Sequence, residues 1–558
     1  MSNTPFNRRD FIAGLGASAL TVHGLSRAAT PVDPKNAFAW GVASGDPLAD
    51  RVIIWTRVAP ALGAKVSVLW DVALDATFKR IIRRGLAIAS TSTDHTVKVD
   101  VEELPANTAL FYRFVAACQT SPTGRTRTLP QDDVKEVKLA VFSCANYPAG
   151  YFNAYAEAAK LPGVHAALHL GDYIYEYERG GYASEDAAAL KREVQPANEL
   201  LVLADYRQRY AQYRTDPDLQ ALHAAMPWIC VWDDHEFAND AWKAGAENHT
   251  PATEGEFIAR RDAAAKAYHE WLPTRPPVPK QPLLTYRTFS FGKLLDLHML
   301  DTRIIGRDQQ LDYANYITAT GLNAAAFAAD MANPARQMLG TTQLQWLGKQ
   351  MAQGKGLWTV LGQQILMGRM NIPAPLVLRQ VSFTDYSAML IKAQTAPGSL
   401  SAQEQAVLAQ PAIPYNLDAW DGYAVAREAV LASARALNKN LVVLAGDTHN
   451  AWASDLKDAT GQQVGVEFAT ASVSSPGLEA YFPAENPAQV AAGLQQIIDP
   501  LVYAETGSRG FMVITATPTE CRSEWYYVST IKSRAYTTTI GKRLRTLPGA
   551  GKRTVVPA

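Results

Sequence analysis

Residues 227–240 read PWICVWDDHEFAND. The first half is an apolar run of strand length, and the second half crowds Asp233, Asp234, His235, Glu236 and Asp240 immediately beyond it. Carboxylates packed into a confined place are tolerated chiefly where a cation neutralises them. The stretch therefore reads as a buried strand whose carboxyl end opens on a metal site, with a solvated turn as the plainer alternative.

The rest of the chain decides between these. From about residue 136, apolar runs alternate with alanine-rich helical segments such as AYAEAAKL (154–161) and ADYRQRYAQYR (204–214), the pattern of an α/β layered domain. Five further apolar runs end on polar groups. KLAVFSCAN (138–146) ends on Cys144 and Asn146, HAALHLGDYIYEYE (165–178) on Asp172 and Tyr175, and LLDLHMLDTR (294–303) on Asp301 and Arg303. LWTVLGQQ (357–364) ends on Gln363 and Gln364, and NLVVLAGDTHN (440–450) on Asp447 and His449. Ligands of α/β sheets bind outside the carboxyl ends of strands, so these groups should meet at one site.

Ahead of this domain, residues 36–130 read as short strands broken by turns, among them RVIIWTRV, VSVLWDVAL, HTVKVDVEEL and FYRFVAA, which predicts a small β-sandwich. ELPANTALFYRF (103–114) is similar to the tyrosine-corner region of fibronectin type III-like domains. With 558 residues, 48% of them hydrophobic, the chain has ample core for two domains. A formal net charge of zero and no long basic run give no footprint for nucleic acid or an anionic membrane. Cys118, Cys144, Cys230 and Cys521 contain no CxxC pair, and their even number leaves disulfides open.

The N-terminus reads as an address. NRRDFIAGLGASALTVHGLSRAAT (7–30) has Arg8 and Arg9, a weakly apolar Gly/Ala stretch and small residues at Ala28 and Ala29, so residues 1–29 resemble a twin-arginine signal peptide, with the twin-arginine translocase as partner and a periplasmic or secreted destination. The apolar part is too short and too glycine-broken for a membrane span.

A thiolate, a phenolate and a histidine nitrogen suit ferric iron better than zinc, while the remaining carboxylates and amide oxygens suit calcium, magnesium or manganese. A mixed centre of two or three metals follows. Such a centre neutralises a phosphoryl group while activating a water for attack, which makes phosphate-ester hydrolysis the leading chemistry. Two other classes compete with it: a calcium-stabilised binding protein, and a carboxylic-ester or lactone hydrolase on the same scaffold. No GxSxG elbow is present to support a serine hydrolase.

FSCANY, HLGDYIYEYE, VWDDHEFAND and AGDTHNAW, in this order and with the weaker MLDTR, WDGY and GFMVITATPTECRSEW, resemble the PhoD-type alkaline phosphatases of the calcineurin-like metallophosphoesterase superfamily. The resemblance covers roughly residues 36–530. It implies a fibronectin-like N-terminal domain (36–130), a metallophosphoesterase α/β sandwich (136–530) and a C-terminal tail (531–558). It implies iron held by Cys144, Tyr175, Asp172 and His449, with Asp172 bridging to a second metal. One or two calcium ions would use Asp234, Asn239 and Asp447, with Asp233 as a ligand or as the orienter of one. His235 would meet the phosphate or the leaving group, and Asn146 and Arg303 would be phosphate contacts. Two departures stand out: Gln363 and Gln364 where relatives often have a histidine, and a longer segment at 300–327. Singly, several residues have blander readings: Cys144 as a buried apolar group, Arg303 as an ion-pair partner of Asp301, Tyr173 and Tyr177 as packing, and His169 and Cys230 as core. Residues 240–255, 305–335 and 365–420 are the candidate access loops.

Overall fold

The computed structural model describes residues 36–318 and 321–558, so the expected signal peptide and Arg8 and Arg9 lie outside the described residues. The apolar runs form strands because both faces of each are covered. Val137–Phe142, Ala166–His169 and Trp228–Cys230 pair in parallel in one sheet, and Leu295–Met299, Trp358–Gly362, Asn440–Ala445 and Gln463–Ala469 in another. Strands buried on both faces need no polar alternation, and Asn440–Ala445 is buried throughout.

The two sheets share one dry layer. Leu139, Val141, Leu168 and Ile229 of the first meet Leu297, Val360, Val442 and Phe468 of the second. Helices cover the outer faces. Asn153–Ala158, Leu203–Tyr213, Pro217–Ala225 and Phe257–Trp271 pack on the first sheet through a core that includes Tyr155, Tyr210, Leu222 and Trp271. Gly340–Gln353 and Ala424–Ala436 pack on the second through Leu347, Met351, Val430 and Leu431. Pro217–Ala225 starts where Asp216 caps it, accepting from the amides of Asp218 and Leu219, with Pro217 in the first turn.

The N-terminal sandwich is present, yet it is not a separate body. One of its sheets orders Ile81–Ser90, Lys65–Ala73, Ala109–Ala116 and Gln119–Thr120. The facing strands Val42–Gly45, Val52–Arg57 and Thr96–Val101 continue the first catalytic sheet, joined to it where Gly45 pairs with Trp228. The C-terminal tail expected over 531–558 is instead structural: Thr538–Thr546 pairs along Cys521–Val528, and Val556–Pro557 pairs with Thr538–Thr546 in turn. Its sequence hid this because the strand lies next to the sheet's edge, with only Leu544 and Thr546 of its nine residues buried. The sheet thus has ten strands, parallel in the middle and antiparallel on both flanks. No helix among the described residues is long and apolar enough to cross a membrane.

Candidate metal centre

The polar strand ends of both sheets converge. Cys144, Asp172 and His449 bring ligand atoms within 4.8 Å of one another, as do Asp172, Asp234 and His235, and as do Asp233, Asp234 and Asp447. The three groups overlap through Asp172 and Asp234, so they form one continuous cluster. Tyr175 joins it with its hydroxyl 3.1 Å from Asp172 Oδ2 and 3.2 Å from His449 Nε2.

The backbone is bent to achieve this. Cys144, Asp172, Asp447 and His449 all have φ between 56° and 64°, a left-handed conformation that turns the chain sharply as it leaves each strand. For a cysteine this is uncommon, and conformations of this kind cost on the order of 1–3 kcal/mol each, so the surrounding packing must hold them. Gly171, at φ 110°, lets the loop after Ala166–His169 approach so closely that a Cβ there would collide with Asp233.

Two acids fasten the loops. Glu236 accepts from the amides of Asp172 (3.0 Å), Tyr173 (2.5 Å) and Asp233 (2.6 Å), tying the DYIY and DDHE turns together. Burial pushes its carboxyl up to about 7 although these amides pull the other way. Glu176 accepts from His235 Nδ1 at 2.7 Å, from the Asn239 amide at 2.7 Å and from Asn248 Nδ2 at 2.9 Å. Glu236 reads in the sequence only as one of the crowded acids, and neither glutamate is assigned a role there. The only signal was their position within the motifs, because their role is to bond backbone amides whose placement is set by tertiary packing.

The two expected phosphate contacts, Arg303 and Asn146, are both buried. Arg303 is fully buried, bonds Asp233, Asp418 (2.7 Å) and Asp447 (3.1 Å), and does not reach the cleft surface, so its guanidinium acts as a cationic floor under the acids. Its backbone amide donates to Asp301, but its side chain goes to the other three acids. Asn146 is 1% exposed and donates to the Tyr182 carbonyl at 3.3 Å. Asp172, Asp234, His235, Asn239, Asp447 and His449 do line the cleft, and so does Tyr177, whose plainer reading was packing. Asn239 donates from Nδ2 to Glu247 at 3.2 Å. Gln364 ties the loops instead of facing the cleft, donating to the carbonyls of Trp232 and Leu300 and accepting from Thr302, while Gln363 accepts from Trp420. His169 bonds Tyr155 at 2.8 Å within the core, and Cys230 is buried there too. The four cysteines are all free thiols.

The electrostatics of the cluster fit a cation. Burial pushes Asp172 and Asp233 well above the usual carboxylate range, and pushes the Cys144 thiol and the Tyr175 phenol up as well. His235 moves the other way: burial opposes its charged form, but Glu176, Asp234 and Asp172 outweigh that and hold it well above its ordinary value. Asp172 Oδ1 and Asp233 Oδ2 are buried without a hydrogen-bond partner. A carboxylate oxygen withdrawn from water and bonded to nothing fits a cation ligand. Sulfur, phenol, imidazole and carboxylate donors in contact also fit a site of mixed metals.

The chain is similar to known proteins along nearly its whole length. The model of the PhoD-like phosphatase family matches residues 139–525, and that of the PhoD-like phosphatase N-terminal domain matches residues 24–130. Alkaline phosphatase D of Bacillus subtilis (strain 168) is 34% identical over 550 residues, spanning 94% of this chain and 84% of that protein. The solved structure of PhoD superposes with a TM-score of 0.76 at 30% identity, covering 96% of this chain and 93% of its own. Since the family match takes in every strand end that feeds the cluster, the chain belongs to the PhoD-like phosphatases and is a phosphoric ester hydrolase.

Proposed function

We propose that this hydrolase is metal-dependent, that it holds ferric iron together with one or two calcium ions, and that it works after twin-arginine export on phosphate monoesters, diesters or both. The observation that carries the metal reading is the continuous donor cluster with two buried, unpartnered carboxylate oxygens. Iron would be held by Cys144, Tyr175, Asp172 and His449, whose anionic sulfur and oxygen donors suit a high-charge ion. Calcium would be held by Asp233, Asp234 and Asp447, all oxygen donors, with Asn239 at hand on the cleft wall. When bound, such ions supply charge neutralisation at the phosphoryl group and activation of water.

The chain's own part follows from the neighbouring bonds. Glu176 engages Nδ1 of His235, which fixes the ring and leaves Nε2 to deliver a proton to the departing oxygen. Asp234 accepts from the amides of His235 (3.0 Å) and Asp240 (2.6 Å), so the carboxylate and the imidazole hold a fixed mutual orientation. Tyr175 lies against the His235 ring, centroids 4.2 Å apart, and limits its rotation.

Visible absorption tests the iron assignment. The purified protein should show a charge-transfer band from its thiolate and phenolate donors, and Cys144→Ser should shift that band and lower the iron content. A colourless, iron-free and fully active enzyme would overturn it.

A further inference from the structure

Asp172, Asp234, His235, Asp447 and His449 of the cluster line a cleft of about 920 Å³. A phosphate group fills the space of a few waters, each roughly 30 Å³ of liquid volume, so most of the cleft is shaped for the rest of the substrate. Polar residues line much of it, but one wall is mainly apolar. Leu366, Met370, Ile372 and Leu376 face it from a built wall, where Asn371–Pro373 pairs with Ala412–Pro414 and Ala374–Val377 forms a helical turn. Phe383 and Phe482 complete the wall, half-buried and packed edge to face with centroids 5.3 Å apart. Between residues 366 and 383, six of the seven lining residues are apolar, Arg379 being the exception. The wall is continuous with the donor cluster, since Trp452, which also lines the cleft, bonds through Nε1 to Thr448 between Asp447 and His449.

We infer that this wall receives the alcohol part of the substrate, and that the enzyme takes phosphate esters whose alcohol carries an apolar alkyl chain. Branched aliphatic side chains and a methionine make an adaptable surface that suits a flexible chain better than a flat ring. Polar alcohols would leave the wall in contact with water, whereas an alkyl chain removes both surfaces from it. The inference rests on the reading of the cluster as a phosphate-ester site, which places the phosphoryl group beside Asp172, Asp234 and His235.

Non-hydrolysable phosphonates test it without turnover. Calorimetric titration of the metal-loaded protein with ethylphosphonate and hexylphosphonate should show the longer chain binding at least tenfold tighter, since each methylene that leaves water is worth about two- to fourfold in affinity. Phe383→Gln and Phe482→Gln, made separately at half-buried positions, should each remove most of that advantage while ethylphosphonate affinity and melting temperature stay unchanged. Equal affinity of the two phosphonates for the unaltered protein overturns the inference and leaves the phosphate site standing, as does an advantage that survives in both variants. Binding of neither phosphonate overturns the inference together with the reading beneath it.

Discussion

Asp234 and His235 are neighbours in sequence and should fail in different ways. Asp234 belongs to two of the donor groups, so Asp234→Ala should lose calcium along with activity, as metal analysis would show. His235→Ala should keep its metals and its stability but lose about 100- to 10,000-fold in turnover, roughly 3 to 5 kcal/mol of barrier. If His235 is the acid, the loss should be smaller for nitrophenyl esters, whose leaving groups need less protonation. Metal loss in His235→Ala would instead make the imidazole a ligand. Of this site, the sequence made legible the residues whose chemistry is unusual in a strand end: Cys144, Tyr175, Asp172 and His449. Arg303 was legible as a charge and not as a direction, since the same MLDTR run serves a guanidinium aimed at a phosphate or one aimed at Asp233 and Asp418.

Among the elements, the tightest tolerance lies where the loop after Ala166–His169 crosses the DDHE turn. Gly171→Ala meets both a positive φ and the side chain of Asp233, with no flexible group to give way. We expect it to destabilise the protein by about 3 kcal/mol or more, read as a fall in melting temperature, and to loosen metal binding with it. At the sheet's edge, removal of residues 531–558 would strip the strand that covers Cys521–Val528 and bare its backbone amides and carbonyls. The truncated protein should melt lower and aggregate on heating, which light scattering would report. Buried parallel strands announce themselves by apolar runs, so the layered domain could be read directly. A polar strand beside the sheet's edge such as TTIGKRLRT buries too little to carry a period of two, and the continuity of the N-terminal strands with the catalytic sheet depends on the single pairing of Gly45 with Trp228.

At the scale of the whole molecule, both ends of the described chain are built into one sheet. If export follows the twin-arginine route, replacing Arg8 and Arg9 with lysine should leave the full-length precursor inside the cell, where fractionation and immunoblotting would find it; normal delivery would refute that route. The ten-stranded sheet adds a matter of timing. Val137–Phe142 has Ala166–His169 on one side and Arg509–Ala516 on the other, with Met512 opposite Val141, so its second neighbour is made more than 360 residues later. A ribosome adding about 5–20 residues per second needs tens of seconds to cover that interval, during which one edge of the strand waits unpaired. The catalytic sheet therefore closes only after Arg509–Ala516 has been made, and whatever protects a nascent chain must cover this strand for the whole of that wait.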